Sequence, residues 1–177
     1  MKVKILIPVF LGIIALYFAF SYFQYESPRY VKMAHSLTAQ TAKKLAKEKG
    51  LVLIGTGGGM MDDIKMMSMS FNYYKEVDLN SARQVLVGTV NEYLAIINND
   101  EELRPFLHNY PFTSKNVEIC IWIYKPDGKY LPPGKIAYLC ARNGKLSYYA
   151  ERPGESFPRN LVLKEDYEEG FQRISKE

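Results

Sequence analysis

Two aspartates and a histidine are the side chains of this sequence that could support acid–base chemistry. Asp62 and Asp63 follow a glycine-rich run, and His108 lies in a long connection further along the chain. Carboxylates and imidazoles are the usual proton carriers of enzymes, so a hydrolase site at the glycine-rich loop is one hypothesis. However, adjacent residues of a strand point to opposite faces, and a single histidine in a loop is usually structural. Solvated loop acids are the alternative interpretation.

The glycine-rich run, residues 55–59 (GTGGG), follows a short apolar strand and invites comparison with phosphate-binding loops. The comparison fails, because no Gly-Lys-Ser/Thr is present and the dinucleotide fingerprint would need glycine where Met60 stands. No helical pattern follows, so no helix N-terminus would face an anion. We predict a flexible turn or bulge here, and Gly57 and Gly58 are the loop residues that the hydrolase hypothesis would use.

Methionines raise the question of a metal site. Five of the seven fall within residues 60–69, and thioethers are soft ligands that select Cu(I). Methionine also fills irregular gaps in protein cores, and His35 and His108, the two histidines, lie far away in sequence. We therefore predict core packing for the methionines, and neither a metal nor a cofactor.

The two cysteines, Cys120 and Cys140, fall on neighbouring predicted strands, directly opposite each other. A disulfide between them is possible, but it would be geometrically tight and easily reduced. Two free, half-buried thiols are an alternative. A redox-active pair is the third interpretation, although there is no Cys-x-x-Cys motif and no helix N-terminus to lower a thiol pKa.

The clearest pattern in the chain is residues 116–151, which predict three antiparallel strands. Asn143-Gly144 between two alternating runs is typical of a two-residue type I′ hairpin. The hairpin register pairs Arg142–Lys145, Cys140–Ser147, Tyr138–Tyr149 and Ile136–Glu151. We choose the register of the first strand so that its apolar side chains fall on one face and its remaining side chains on the other. This register pairs Tyr124–Ile136, Trp122–Tyr138, Cys120–Cys140 and Glu118–Arg142.

This register separates a core face from an aromatic face. The core face carries the apolar residues Ile119, Ile121, Ile123, Ala137, Leu139, Ala141, Leu146, Tyr148 and Ala150. The aromatic face carries Trp122, Tyr138 and Tyr149 in one row, extended by Tyr124 and Ile136. Cross-strand aromatic pairs contribute roughly 0.2–1 kcal/mol each, so sheet stabilisation is one interpretation. A surface for a ligand or partner is the other, because contiguous exposed apolar area usually marks a contact site.

The remaining patterns supply helices to cover the core face. We predict a helix from Ser27-Pro28 to Gly50, a second from Asp78 or Asn80 to about Ile97, and a last over residues 164–175. Residues 67–73 alternate as a half-buried strand, and residues 161–163 form a short one. The predicted fold is α+β: a mainly antiparallel sheet of four or five strands with helices packed on one face.

The first residues of the chain predict where in the cell the protein is located. Residues 5–23 contain no charge and follow two lysines, and a helix of that length rises about 28 Å, close to a bilayer core of about 30 Å. The positive flank should stay cytoplasmic. We therefore predict that residues 1–25 are a single-pass anchor and that residues 26–177 are one extracytoplasmic domain. Signal-peptide cleavage after Ser21, which would give a secreted protein, is the alternative.

Composition is that of a globular domain, with 47% hydrophobic and 24% charged residues and a net charge of +4. Lysines and arginines are scattered among acids and form no basic stripe, which argues against nucleic-acid binding. After the N-terminal segment, about 150 residues remain, enough for one domain with a real core.

Two segments carry a resemblance to known proteins: GTGGGMMDDIKMMSMSF, residues 55–71, and LHNYPFTSKNVEI, residues 107–119. On these strings the chain resembles a family of small exported or membrane-anchored bacterial proteins of unknown function, over about residues 50–150. The resemblance brings no activity, cofactor or catalytic residue. It implies that the two segments lie together at one end of the sheet.

These observations lead to three hypotheses about function. The first is a membrane-anchored extracytoplasmic binding or assembly module, whose aromatic face takes a peptide, a partner strand or an envelope glycan. The second is a hydrolase that uses Asp62, Asp63 and His108. The third is a structural envelope subunit whose open sheet face is covered by another copy of the chain.

Overall fold

The structure is a computed structural model, and it describes residues 26–152 and 160–176. The helices are α1 (Arg29–Lys49), α2 (Leu79–Asn99) and α3 (Tyr167–Ile174), with one 3₁₀ turn at Arg104–Phe106. The strands are β1 (Leu51–Gly59), β2 (Met66–Tyr73), β3 (Val117–Ile123), β4 (Ile136–Arg142), β5 (Lys145–Ala150) and β6 (Asn160–Asp166). The predicted anchor over residues 1–25 lies outside the described residues.

The strands form one six-stranded sheet in the order β1-β2-β3-β4-β5-β6. The β2–β3 pair is parallel and the other four pairs are antiparallel. The α+β class is confirmed, but the prediction of four or five strands was too low. The parallel pair arises because α2 carries the chain back across the sheet between β2 and β3, as parallel neighbours require.

The helix boundaries follow local chemistry. Gly50 ends α1 in the left-handed conformation with φ of 72°, which glycine adopts without steric cost. The Asp78 side chain accepts a hydrogen bond of 2.7 Å from the Ser81 backbone amide and caps α2. The last helix is shorter than predicted, because residues 160–166 pair with β5 as a strand before the helix begins at Tyr167.

The glycine-rich run was predicted as a turn, but it belongs to β1, where Gly57 pairs with Ser68 and Gly58 with Met67. The predicted bulge does occur, as a register shift between Leu53 and Gly55. A Cβ at Gly58 would lie 2.6 Å from the Met66 carbonyl oxygen. A side chain there would therefore collide with the neighbouring strand.

All three helices pack on one face of the sheet, which we call the helix face, and the hydrophobic core lies between them. Side chains of this face, such as Phe71, Ile121, Leu139 and Tyr148, are fully buried. The methionines Met67 and Met69 belong to the same core, so the predicted core packing is confirmed for them, but it was wrong for Met61, which is 87% exposed. The opposite face, which we call the open face, has half-buried residues at the alternate positions.

The helix face also contains a buried ionic group. Arg83 of α2 donates to both carboxylate oxygens of Glu165, at 2.7 and 3.3 Å, and the Tyr148 hydroxyl donates to the same carboxylate at 2.9 Å. Since both charges are almost fully buried, the pair replaces the lost hydration of each group. This contact joins α2 to the β5–β6 strand pair.

Over residues 26–152 and 160–176, no helix combines the length and the apolar character needed to cross a membrane.

Candidate functional site

The predicted aromatic row exists, and its register is confirmed: Trp122 pairs with Tyr138, and Tyr138 with Tyr149. We call these three residues the aromatic ridge. The ring centroids of Trp122 and Tyr138 are 4.4 Å apart with an interplanar angle of 37°. Those of Tyr138 and Tyr149 are 5.6 Å apart at 39°. These separations match the strand spacing of about 4.8 Å, so neighbouring rings pack against one another.

A second group of rings continues the ridge at one end of the open face. Tyr124, two residues beyond Trp122, stacks on Tyr74 at 5.7 Å and contacts Tyr130 at 5.8 Å. Partial burial, together with the nearby Tyr130 and Tyr74, raises the pKa of Tyr124. Sequence reasoning missed Tyr74 and Tyr130. The strand alternation through Asn72 places Tyr74 on this face, whereas no periodicity places Tyr130, which lies in a loop.

The structure removes Ile136 from this surface. Ile136 pairs with Ala150 rather than Glu151, because a register shift between Ile136 and Tyr138 sets an extra residue in β4. A bulge of this kind breaks the alternation of side chains along the strand, so Ile136 does not share the face of Tyr138. Ile136 is 8% exposed and belongs to the core, so the prediction that it extends the aromatic row was wrong.

The two cysteines lie next to the ridge on the open face, directly opposite each other as predicted. Their Sγ atoms are 3.3 Å apart, and the Tyr138 hydroxyl donates to Cys120 Sγ at 3.0 Å. Both are free thiols in this structure. The Cys120 hydrogen bond is the main cause that lowers the pKa of Cys140 to about 7, with help from Tyr138 and Arg142.

Charged residues border this part of the open face in pairs. Arg142 of β4 donates a hydrogen bond to the Glu118 carboxylate of β3. Lys145 of β5 donates one to the Asp166 carboxylate of β6 at 2.7 Å. Both pairs are partly exposed, so each contributes little to stability. They give the surface a polar rim with both signs of charge.

The acid–base candidates come together only in part. Asp63 Oδ2 lies 2.6 Å from His108 Nδ1, which orients the imidazole. The other oxygen, Asp63 Oδ1, is buried and has no hydrogen-bond partner among the described residues. Asp62 is exposed and takes no part in the hydrogen bond between Asp63 and His108. The imidazole has no hydroxyl or thiol partner in the described chain, so this pair has no attached nucleophile.

The two segments that carry the resemblance do meet. Ile64 and Leu107 form an isolated parallel bridge, in which the Ile64 amide donates to Phe106 at 2.8 Å and the His108 amide donates to Ile64 at 2.9 Å. This bridge sets Asp63 beside His108. The candidate loop residues Gly57 and Gly58 lie on the neighbouring edge strand β1 rather than around the imidazole. Within the described residues, no three His, Cys, Asp or Glu side chains are grouped closely enough to hold a metal ion.

Comparisons with known proteins give no match: no family model, no curated protein and no solved structure is significantly similar to this chain.

Proposed function

We propose that this protein is a membrane-anchored extracytoplasmic contact module, which binds a protein or peptide partner of the cell envelope through the aromatic ridge. The observation that supports the proposal is the contiguous aromatic surface formed by Trp122, Tyr138, Tyr149 and Tyr124 on a sheet face with no helix among the described residues packed against it. The anchor and the location rest on the uncharged N-terminal run.

The ring geometry favours a peptide over a glycan. A sugar stacks flat on an aromatic face, yet both faces of Tyr138 are taken by Trp122 and Tyr149 at 4.4 and 5.6 Å. A partner would therefore meet ring edges rather than open ring faces, and the Tyr138 hydroxyl is already engaged with Cys120 Sγ at 3.0 Å. Apolar side chains of a peptide can pack along ring edges.

The composition of the surface agrees with this assignment. Aromatic residues are enriched at the centre of protein interfaces, and polar groups form the rim. Here the rings lie in the middle of the sheet, and the Glu118–Arg142 and Lys145–Asp166 pairs lie at the border. Because these charges are already neutralised in pairs, affinity should come from the rings rather than from long-range attraction.

The experiment is site-specific photocrosslinking of the full chain in its native membrane. Benzoylphenylalanine replaces Tyr149 on the ridge, and the matched control replaces Tyr110, an aromatic residue that is 52% exposed in the loop between the 3₁₀ turn and β3. We expect a discrete protein adduct from position 149 and not from position 110. Adding Trp122→Ser should remove the adduct, while circular dichroism shows a folded domain.

The outcomes separate the hypotheses. An adduct between two copies of this chain would support the structural-subunit hypothesis instead. No adduct from position 149, or an identical pattern from position 110, would contradict the proposal.

The Asp63–His108 contact supports a second candidate, a hydrolase. A carboxylate at Nδ1 leaves Nε2 free to accept a proton from water, as a general base does. The test is activity of the purified chain against ester, phosphoester and peptide substrates. Any activity found should be abolished by Asp62→Ala, Asp63→Ala and His108→Ala combined. A fully active triple variant would exclude this site.

A further inference from the structure

The thiols of Cys120 and Cys140 are placed for a reaction with each other. They occupy directly opposed positions on antiparallel strands, with their Sγ atoms 3.3 Å apart. A disulfide bond is about 2.05 Å long, so the sulfurs need to approach by only roughly 1.3 Å to bond. Rotation of the two side chains can supply much of this movement, since the Cα positions are already fixed by the sheet register.

We propose that Cys120 and Cys140 form a thiol–disulfide exchange site on the open face, in which Cys140 is the attacking thiol and Cys120 the resolving one. The reaction partner is a small disulfide, represented by oxidised glutathione. The chemistry of the pair does not depend on the contact function proposed above.

The two cysteines have different surroundings, which assigns their roles. Cys140 is partly exposed, whereas Cys120 is buried, at 6% exposed. The facing groups are Cys120 and Glu118 on β3 and Tyr138 and Arg142 on β4, while β5 offers the uncharged Ser147. Cys120, Tyr138 and Arg142 lower the pKa of Cys140, and Glu118 and burial oppose them.

Cys120 has the opposite tendency. Its hydrogen bond to Cys140, its burial and the Glu118 carboxylate raise its pKa, and its sulfur lies 3.8 Å from the Glu118 carboxylate as a weak donor. The pair therefore holds one proton on Cys120 while Cys140 ionises. Exchange begins with the thiolate, so the first attack falls to the more accessible Cys140.

The exchange has two steps. The Cys140 thiolate attacks one sulfur of the small disulfide, forms a mixed disulfide and expels one thiolate. Cys120 then gives up its proton and attacks Cys140 Sγ, which forms the Cys120–Cys140 bond and expels the second thiolate. Two cysteine thiols are oxidised and one small disulfide is reduced to two thiols, so electrons and protons balance.

The exchange should also act on the aromatic ridge. The Tyr138 hydroxyl donates to Cys120 Sγ at 3.0 Å, and a bridged sulfur is a poorer acceptor than a thiol beside a thiolate. Tyr138 is the central ring of the ridge, in contact with Trp122 on one side and Tyr149 on the other. Oxidation therefore frees the hydroxyl of the ring that holds the row together.

The test uses the full chain in detergent at pH 7, titrated with mixtures of reduced and oxidised glutathione. Intact mass spectrometry should show loss of two hydrogens as the fraction of oxidised glutathione rises, and reversal when it falls. Trp122, the only tryptophan, should report the same transition by fluorescence. If no bridge forms at any ratio, while both thiols are alkylated after unfolding, the proposal is wrong.

Two variants test the roles. Cys120→Ser should stop at the first step and retain glutathione on Cys140. Cys140→Ser should react at least about fivefold more slowly, because its remaining thiol, Cys120, is only 6% exposed and has the Glu118 carboxylate opposing its ionisation, whereas Cys140 is partly exposed and keeps Arg142 beside it. Equal rates for the two variants would overturn the assignment of Cys140 as the attacking thiol.

Tyr138→Phe adds a positioning test that leaves the ring in place. Removing the hydroxyl should raise the pH at which Cys140 becomes half alkylated by iodoacetamide, because one of the groups that lower its pKa is lost. An unchanged pH profile would show that Tyr138 does not act on the pair. The partner crosslink from position 149 reports on the contact function separately, so either proposal can fail alone.

Discussion

Tyr148 and Tyr149 are neighbours in β5, yet they show how differently the two faces of the sheet are held together. Tyr148 points to the helix face, is fully buried and donates to the Glu165 carboxylate at 2.9 Å. Tyr149 points to the open face, is half-buried and packs on Tyr138 at 5.6 Å. The helix face depends on complete burial, whereas the open face depends on side-chain pairs that cross the strands.

The comparison shows that an aromatic residue in this sheet can have either of two roles. On the helix face, a ring fills volume between a helix and the sheet, so its loss leaves a cavity. On the open face, the same kind of ring packs against its cross-strand neighbours and stays half-buried. Replacing residues on each face should therefore separate stability from surface properties.

The largest expected difference is between Tyr148→Ala and Tyr149→Ala. Tyr148→Ala should lower the free energy of unfolding by about 4 kcal/mol or more, because it creates a cavity and removes a donor from buried Glu165. Tyr149→Ala should cost about 1 kcal/mol. Urea denaturation of both variants measures the difference. Equal losses would show that the open face is covered as completely as the helix face.

Arg83→Leu should be the next most damaging change. It leaves the Glu165 carboxylate buried without its guanidinium, and breaking a buried pair in this way costs about 3 kcal/mol. Arg173→Leu is the matched control, because Arg173 lies 3.6 Å from the same carboxylate but is largely exposed. The control should cost less than about 1 kcal/mol. Thermal unfolding monitored by circular dichroism compares the two.

Alkaline pH should weaken the packing of Tyr167 on the helix face. Burial raises the pKa of Tyr167 from 10.0 to about 12, so the folded state retains a proton that the unfolded chain loses. This contribution to stability is complete below pH 10 and falls as pH rises toward 12, by about 1 kcal/mol at pH 11. Urea midpoints between pH 9 and 11 measure it. Tyr167→Phe should flatten the decline, whereas Tyr130→Phe, at a site 70% exposed, should not.

The smallest stability effect is expected from Arg142→Gln on the open face. The Arg142–Glu118 pair is partly exposed, so its loss should cost less than about 1 kcal/mol. The same change should raise the pKa of Cys140, because Arg142 is one of the groups that lower it. The pH dependence of iodoacetamide alkylation measures this shift. A large loss of stability with no change in the pKa of Cys140 would contradict the expectation that Arg142 acts mainly on the thiol.

Local turn chemistry made much of the open face predictable from sequence. Asn143 and Gly144 both have positive φ, 52° and 73°, as the type I′ turn requires. That turn places Tyr138 opposite Tyr149. The alternation of β3 then places Trp122 and Cys120 opposite Tyr138 and Cys140. Each of these pairings follows from period-two alternation counted from one turn.

Features that depend on non-local packing could not be predicted in the same way. The register shift at Ile136 has no local sequence signal, and it accompanies the burial of Ile136 in the core. The glycine run pairs as a strand because the methionine strand β2 lies beside it. The Asp63–His108 contact depends on the bridge between Ile64 and Leu107, which no local pattern encodes.

The parallel junction between β2 and β3 has a consequence for how the chain folds. All five strand pairs join consecutive strands, but β2 and β3 are separated by a helix, so Met67 meets Val117 only after α2 and the following connection have been traversed. Closing a long loop costs entropy before any contact compensates for it, and such pairings slow folding. We therefore expect two parts of the domain to form early: the segment through β2, and the antiparallel strands β3 to β6. Their docking along the β2–β3 junction should limit the folding rate.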